Sequence, residues 1–523
     1  MGDHELDSRS TVELRAQADR EGAGHTGVGG RNSLSRRAVL LGGAGAGLLL
    51  ASCTTDPRYL RSDSPAVGEQ EKVRKGTGRT TTVDLVAAAS SLDLAGVTAN
   101  TWTFGSLPAP VIRVGAGDTL RARVRNELND PTSVHWHGLA LRNDMDGVPP
   151  LTQKPIQPAR TFDYEFIAPH PGTYWFHPHV GPQLDHGLYG ALIVEDPNEP
   201  LSYDDEWVVI LDDWLDGVTT TPEQVMAELG RGMSAMGMDG MPMRMGNMLM
   251  GATSDLLGGD AGDVYYPYYL INGKPVADPT VFSGTPRSRV RIRIINAGSD
   301  TAFRFALGRH RLTVTHTDGF PVEPRDVDTL LLGMGERYDV LVTLADGVFP
   351  MVAEAEGKQD RAFAIVRTGG GSAPPADVEV PELARKVGDA SGLTASSDVL
   401  LAPSSPARRL TISLTGSMAQ YDWGINGRRF DAKSPLAGAL GVRQGERVQL
   451  TVTNDTDMWH PFHLHGHTYQ HAEGGPRKDT SIVLPRTKLV VEFDTDNPGV
   501  WAAHCHNIYH AEAGMMTVLA YEG

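Results

Sequence analysis

Two distant stretches of this chain carry the same pair of motifs at the same separation, and that repeat limits the fold more than any other feature. His135-Trp136-His137-Gly138 is matched by His463-Leu464-His465-Gly466. Pro171-Gly172, leading to His177-Pro178-His179, is matched by Pro498-Gly499, leading to His504-Cys505-His506. From His137 to His177 is 40 residues, and from His465 to His504 is 39. The chain therefore holds two homologous modules with histidines at corresponding strand ends. With 18 His in 523 residues, chance gives about 0.6 His-x-His pairs, yet there are five, the fifth being His465 with His467. A lone pair would be a half-buried strand with satisfied imidazoles. Five, four of them in matched settings, point to metal.

The strands themselves repeat as well. Val111-Ile112-Arg113-Val114 and Thr119 to Arg125 alternate apolar with polar, the period of a half-buried strand. Related runs at 289–296 and 446–454 make three copies and predict an all-β chain of three tandem β-sandwich modules. The expected limits are 81–198, 204–368 and 408–523, with 369–407 as a linker marked by Gly369 to Pro375. Length alone gives about three to four domains. The middle module has His310 and His316 but no paired histidines, and both read as structural in a spacer. A formal charge of −17 disfavours nucleic acid and favours cations.

Cys505, His510 and Met515, with His460 from another strand, supply the thiolate, two imidazoles and axial thioether of a trigonal blue-copper site. His504 and His506 flank the cysteine on an extended stretch, so they face away from it, toward a second centre. Setting aside His460 and His510 leaves four pairs, 135/137, 177/179, 463/465 and 504/506, two from each outer module. They meet naturally at the interface of those modules. Pro178 stands where Cys505 stands, so only the third module can make the thiolate site.

With these motifs in place, the chain resembles the three-domain multicopper oxidases, the group of laccases and bacterial cuprous oxidases, over nearly all of its mature length. The surroundings of His177-Pro178-His179, through His186-Gly187, look most like actinobacterial copper-defence members. The resemblance implies cupredoxin-like Greek-key sandwiches and four copper ions. Type 1 would be held by His460, Cys505, His510 and Met515, and type 2 by His135 and His463. The type 3 pair would take His137, His177, His179, His465, His504 and His506. It further implies oxidation of a reducing substrate at type 1, with electrons passing through Cys505 to His504 and His506, and reduction of dioxygen to water. Asp146, nine residues after His137, matches a carboxylate that assists proton delivery; the alternative is a turn-forming Asp before Gly147. Relatives carry a Glu directly after the type 1 His. Here Ala511 stands there and Glu512 follows, which leaves the second proton route open.

Residues 226–250 hold nine of the 17 methionines, among them Met236, Met238, Met241 and Met243, in a setting of Gly, Pro, Asp and Arg. Core methionines are normally dispersed, and soft thioethers select cuprous ion. We expect a flexible, copper-binding insertion, the alternative being a low-complexity loop without ligand role. Met458 matches a family position that holds substrate copper, with Asp457 beside it; packing over the site is the other reading. The leading expectation is a cuprous oxidase with weak phenol oxidation. A laccase for phenols or aromatic amines is the alternative enzyme, a copper sequestrant the alternative outside catalysis.

The N-terminal 52 residues contain Ser35-Arg36-Arg37 ahead of a short apolar run ending at Ser52-Cys53, a twin-arginine export signal with a lipoprotein-like box. Cys53 would be acylated, with 53–80 a polar tether, unless ordinary cleavage frees a secreted product. The expected product is a monomer in the cell envelope, in contact with membrane only through that lipid.

Overall fold

The computed structural model describes residues 58–232 and 243–523. Three pairs of face-to-face sheets follow one another along it. In the first module, strands Val97–Thr103, Thr80–Leu94, Thr119–Asn126 and Thr161–Ile167 form one sheet, and Ala109–Gly115, Gly190–Glu195, Gly172–His177 and His135–His137 the other. The middle module has two six-stranded sheets, and the third a six- and a five-stranded sheet. The fold is all-β, with few helices.

One device recurs in all three modules. Strands Thr119–Asn126, Arg289–Asn296 and Arg447–Asn454 each run parallel to the first strand of their module, and each ends in a fully buried asparagine. Asn126 Nδ2 donates to the carbonyls of Asp130 and Ile156, Asn296 Nδ2 to Thr301 and Leu332, and Asn454 Nδ2 to Met458 and Val483. Each Oδ1 accepts the backbone N–H two residues on, from Leu128, Gly298 and Thr456. This Asx turn satisfies backbone groups that a strand end would otherwise bury unpaired. In the third module it also fixes the chain just ahead of His460.

The strands that carry the histidines share a register. His135 lies opposite His177, and His463 lies opposite His504. The second sheet of the third module runs Leu440–Val442, Met516–Tyr521, Val500–Cys505, His460–Leu464, Thr480–Val483.

Several expectations need correction. Arg289–Asn296 is not half-buried: all but its first residue is buried. Arg291 and Arg293 are neutralised by Asp339, Glu199 and Glu206, and Arg293 also donates to Thr173 Oγ1 of the first module at 2.9 Å. The tether is a packed strap from residue 58 onward. Leu60 N donates to Tyr521 O at 2.8 Å, a helix spans Pro65–Val73, Glu71 accepts from Ile167 N at 3.0 Å, and Arg74 donates to Asn497 at 3.0 Å. It thus grips the first and third modules together. Cys53 and the export signal lie outside the described residues. The linker is also partly built in, for Val387–Gly388 adds a parallel strand to Thr329–Leu332, and Val380, Leu383 and Leu393 are buried.

Candidate metal centre

Cys505 ends strand Val500–Cys505, and the chain returns so that Cys505 N donates to Met515 O at 3.1 Å and Met515 N to His510 O at 2.9 Å. These loop bonds bring three donors into a triangle. Cys505 Sγ lies 3.5 Å from His460 Nδ1 and 3.7 Å from His510 Nδ1, and the two nitrogens are 3.1 Å apart. The point equidistant from all three is about 2.0 Å from each, which is metal–ligand bonding distance. The outer nitrogens are already occupied: His460 Nε2 is 2.9 Å from Thr456 Oγ1, and His510 Nε2 is 3.2 Å from the Asp263 carboxylate. Met515, on the same loop, is fully buried. Burial pushes the His510 imidazole down to about 3 and His460 well below its ordinary value, so both stay in the neutral form that can ligate a metal. Burial raises the Cys505 thiol, and a bound cation is what would deprotonate it.

The other eight histidines converge where the outer modules meet. His465 Nε2 and His179 Nε2 lie 2.9 and 3.4 Å from His504 Nε2. His137 Nδ1 lies 3.2 Å from His506 Nε2, with the His177 ring 5.3 Å from that of His506. His135 and His463 rings are 5.8 Å apart. Backbone carbonyls set the tautomers. His135 Nδ1 donates to Asp146 O, His177 Nδ1 to Pro178 O, His463 Nδ1 to Asp479 O and His504 Nδ1 to Cys505 O, all at 2.8–2.9 Å. The Nε2 atoms of His135, His177 and His463 are left buried without a partner. Orphaned buried nitrogens are rare, and several aimed into one polar space fit bound metal. Desolvation lowers His137, His177, His179, His465, His504 and His506 well below their usual range, keeping them in the ligating form.

Asp146 is fully buried, and its carboxylate accepts from His465 Nδ1 at 3.0 Å. The turn reading applies to the same residue, since Gly147 has φ +81° and a Cβ there would sit 1.8 Å from Val134 O. Turn and cluster are one feature.

Sequence reasoning missed the middle module's part. Arg337, fully buried, donates to both oxygens of Asp479 at 2.7 and 2.6 Å and to Thr173 O at 3.1 Å. Asp479 in turn accepts from His137 Nε2 at 3.1 Å. Burial works against the Asp479 carboxylate, yet Arg337 outweighs it and holds the group well below the usual range. At Gly335, φ +84°, a Cβ would lie 2.9 Å from the His506 ring and 3.0 Å from that of His137. Asp263 touches His510. The module is therefore no mere spacer, although His310 is structural as expected, its ring bonded to Gly308 O and Ala345 N. His316 lies beside Thr315 Oγ1.

The expected substrate residues divide. Met458 is buried and its backbone bridges Asp260. Asp457 points away: its carboxylate pairs with Arg486 and its side chain is 90% exposed. Met236, Met238 and Met241 lie outside the described residues. Met243 is exposed on a hairpin, Met243–Met245 with Met248–Met250, so this part of the insertion is ordered and not loose chain. Glu228, on helix Pro222–Leu229, accepts from Asn247 N and Nδ2, and Leu249 N donates to Asp263 O at 2.8 Å. Glu512 sits on helix Ile508–Ala513, where burial pushes it up to about 7.

Comparison with known proteins accords with this geometry. Three profiles, each described as Multicopper oxidase, match residues 86–199, 205–371 and 403–522. Multicopper oxidase MmcO of Mycobacterium tuberculosis is 48% identical over 500 residues, covering 94% of this chain and 97% of that protein. Copper resistance protein A of Escherichia coli is 28% identical, covering 84% and 93%. The laccase of Botrytis aclada superposes with a TM-score of 0.70 at 24% identity, covering 90% of this chain and 93% of that one. The chain belongs to the three-domain multicopper oxidases, copper-dependent oxidoreductases that use dioxygen as acceptor.

Proposed function

We propose that this oxidase acts mainly on cuprous ion and so lowers copper toxicity. The observation that carries this reading is the attachment of the methionine-rich segment. Its hairpin is bonded, Leu249 N to Asp263 O, to the residue whose carboxylate touches His510, and Met458 adjoins Asp260 two residues before His460. Thioethers would thus deliver a soft monovalent cation next to the thiolate set. The name of the copper resistance relative supports the same reading.

We assign four copper ions: one to His460, Cys505, His510 and Met515, one to His135 and His463, and a pair to His137, His177 and His506 with His179, His465 and His504. Bound copper supplies the one-electron oxidation of the substrate and the four-electron reduction of dioxygen to water. The chain holds the imidazoles neutral and aimed, joins the two donor sets covalently through Cys505, and keeps the Cys505 side dry behind Trp423, 4.5 Å from the His510 ring. Asp146 holds a proton-bearing contact with His465 Nδ1 and is our proton-relay residue. Export by the twin-arginine route, with Cys53 acylated, is our proposed localisation.

The test is steady-state oxygen uptake with cuprous ion and with a phenol, before and after changing Met233, Met236, Met238, Met241, Met243 and Met245 to Leu. A several-fold rise in KM for cuprous ion with phenol turnover unchanged is expected. Unchanged cuprous kinetics would leave the laccase reading in its place.

A further inference from the structure

Asp300, fully buried in the middle module, reaches both sides of the thiolate set through hydrogen bonds. Its Oδ1 accepts from Asn507 Nδ2 at 2.6 Å. Its Oδ2 accepts from Lys358 Nζ at 2.6 Å and from the backbone N–H groups of Asp263 and Val264 at 3.0 Å. Lys358 is equally buried and donates also to Asp300 O and Thr301 Oγ1.

Asn507 lies between Cys505 and His510 in the chain, and both ends of its side-chain amide are bonded. Its Oδ1 caps helix Ile508–Ala513 by accepting from Tyr509 N at 3.1 Å and His510 N at 3.2 Å. Next door, Ile508 N donates to Ser299 O at 3.1 Å. On the other side, the Asp263 backbone held by Asp300 carries the carboxylate that touches His510 Nε2. A single carboxylate from a different module therefore holds the residue that links Cys505 to His510, the helix that aims His510 and the outer partner of His510.

We propose that the buried Asp300–Lys358 pair is a positioning unit for the blue-copper loop, setting its geometry and its reduction potential from the middle module. Two charges taken out of water gain little over an apolar pair of the same volume, so stability alone gives no reason for this placement. Hydrogen bonds to the ligand sulfur and to ligand imidazoles are the means by which a protein tunes such a site. The charge also acts through space: an uncompensated carboxylate favours the oxidised, more positive metal, and an uncompensated ammonium the reduced one. The inference rests on copper binding at Cys505 and is independent of which substrate reduces it.

The experiment uses copper-loaded full-length protein and reads the thiolate-to-copper absorption band, the electron paramagnetic resonance hyperfine splitting and the type 1 reduction potential. In Lys358→Met the reduction equilibrium is expected to fall about tenfold, and in Asp300→Asn to rise about tenfold, each about 59 mV for one electron. Shifts in the same direction, or none, would overturn the tuning role. Should a single variant fail to fold, Asp300→Leu with Lys358→Met removes both charges and the bond to Asn507 together. In that variant a changed hyperfine splitting and band position are expected, and wild-type spectra would overturn the positioning role.

Discussion

The Arg337 guanidinium grips both oxygens of Asp479 at 2.7 and 2.6 Å, although the two residues belong to different modules and both are fully buried. Through Asp479 the grip extends to His137 Nε2, and through Arg337 Nε to Thr173 O in the first module. All three modules thus close on one carboxylate behind the histidine cluster.

Breaking this pair from one side leaves a buried, uncompensated charge. Arg337→Met is expected to cost about 3–5 kcal/mol in urea unfolding of the copper-free protein. It should also loosen copper from the eight-histidine cluster before the thiolate set. Metal analysis with the blue absorption as internal reference checks the order of loss.

Gly335 is a steric statement about the same cluster. Alanine there adds a methyl within 3.0 Å of the His506 and His137 rings and must also adopt φ +84°. Gly335→Ala is expected to keep the blue absorption and lose at least tenfold in oxygen uptake. Equal loss of both would mean general misfolding.

His186 should give an alkaline limit to stability. Burial disfavours its charged form, but Asp216 at 2.7 Å and Glu223 at 2.9 Å outweigh that and raise it to about 9. A histidine raised on folding stabilises fully below its unfolded value of about 6.5 and loses that contribution as pH rises through the folded one. Because Glu223 is half exposed, the loss between these pH values is expected to be about 1–3 kcal/mol, below the full linkage value. His186→Gln should flatten stability over that range, as measured by denaturant titration at several pH values.

The histidine motifs were legible because metal ligands must recur at fixed spacing on strands, whatever surrounds them. The three repeated strand runs were visible because their alternation recurs with the module, whereas the asparagine that ends each shows its role only through the carbonyls it bonds. Asp479 and Arg337 were not, since Arg477-Lys478-Asp479 looks like any solvated charge run and its partner is 142 residues away. Asp300 and Lys358 were hidden likewise, as their meaning lies in a contact with Asn507. The strap of residues 58–79 was misjudged because a polar segment can pack by backbone and ion-pair contacts that leave no apolar period. Asp457 was misjudged because adjacency to a buried methionine does not fix where a carboxylate turns, and this one turns outward to Arg486.

One cysteine thiolate set and one eight-histidine cluster are expected to bind copper as separate centres in this chain. Copper content and visible absorption of the wild type against Cys505→Ser distinguish two centres from one. The expected result is four coppers per blue wild-type chain and three per colourless variant. A variant that stays blue or retains four coppers, or a wild type that binds only one, would contradict it.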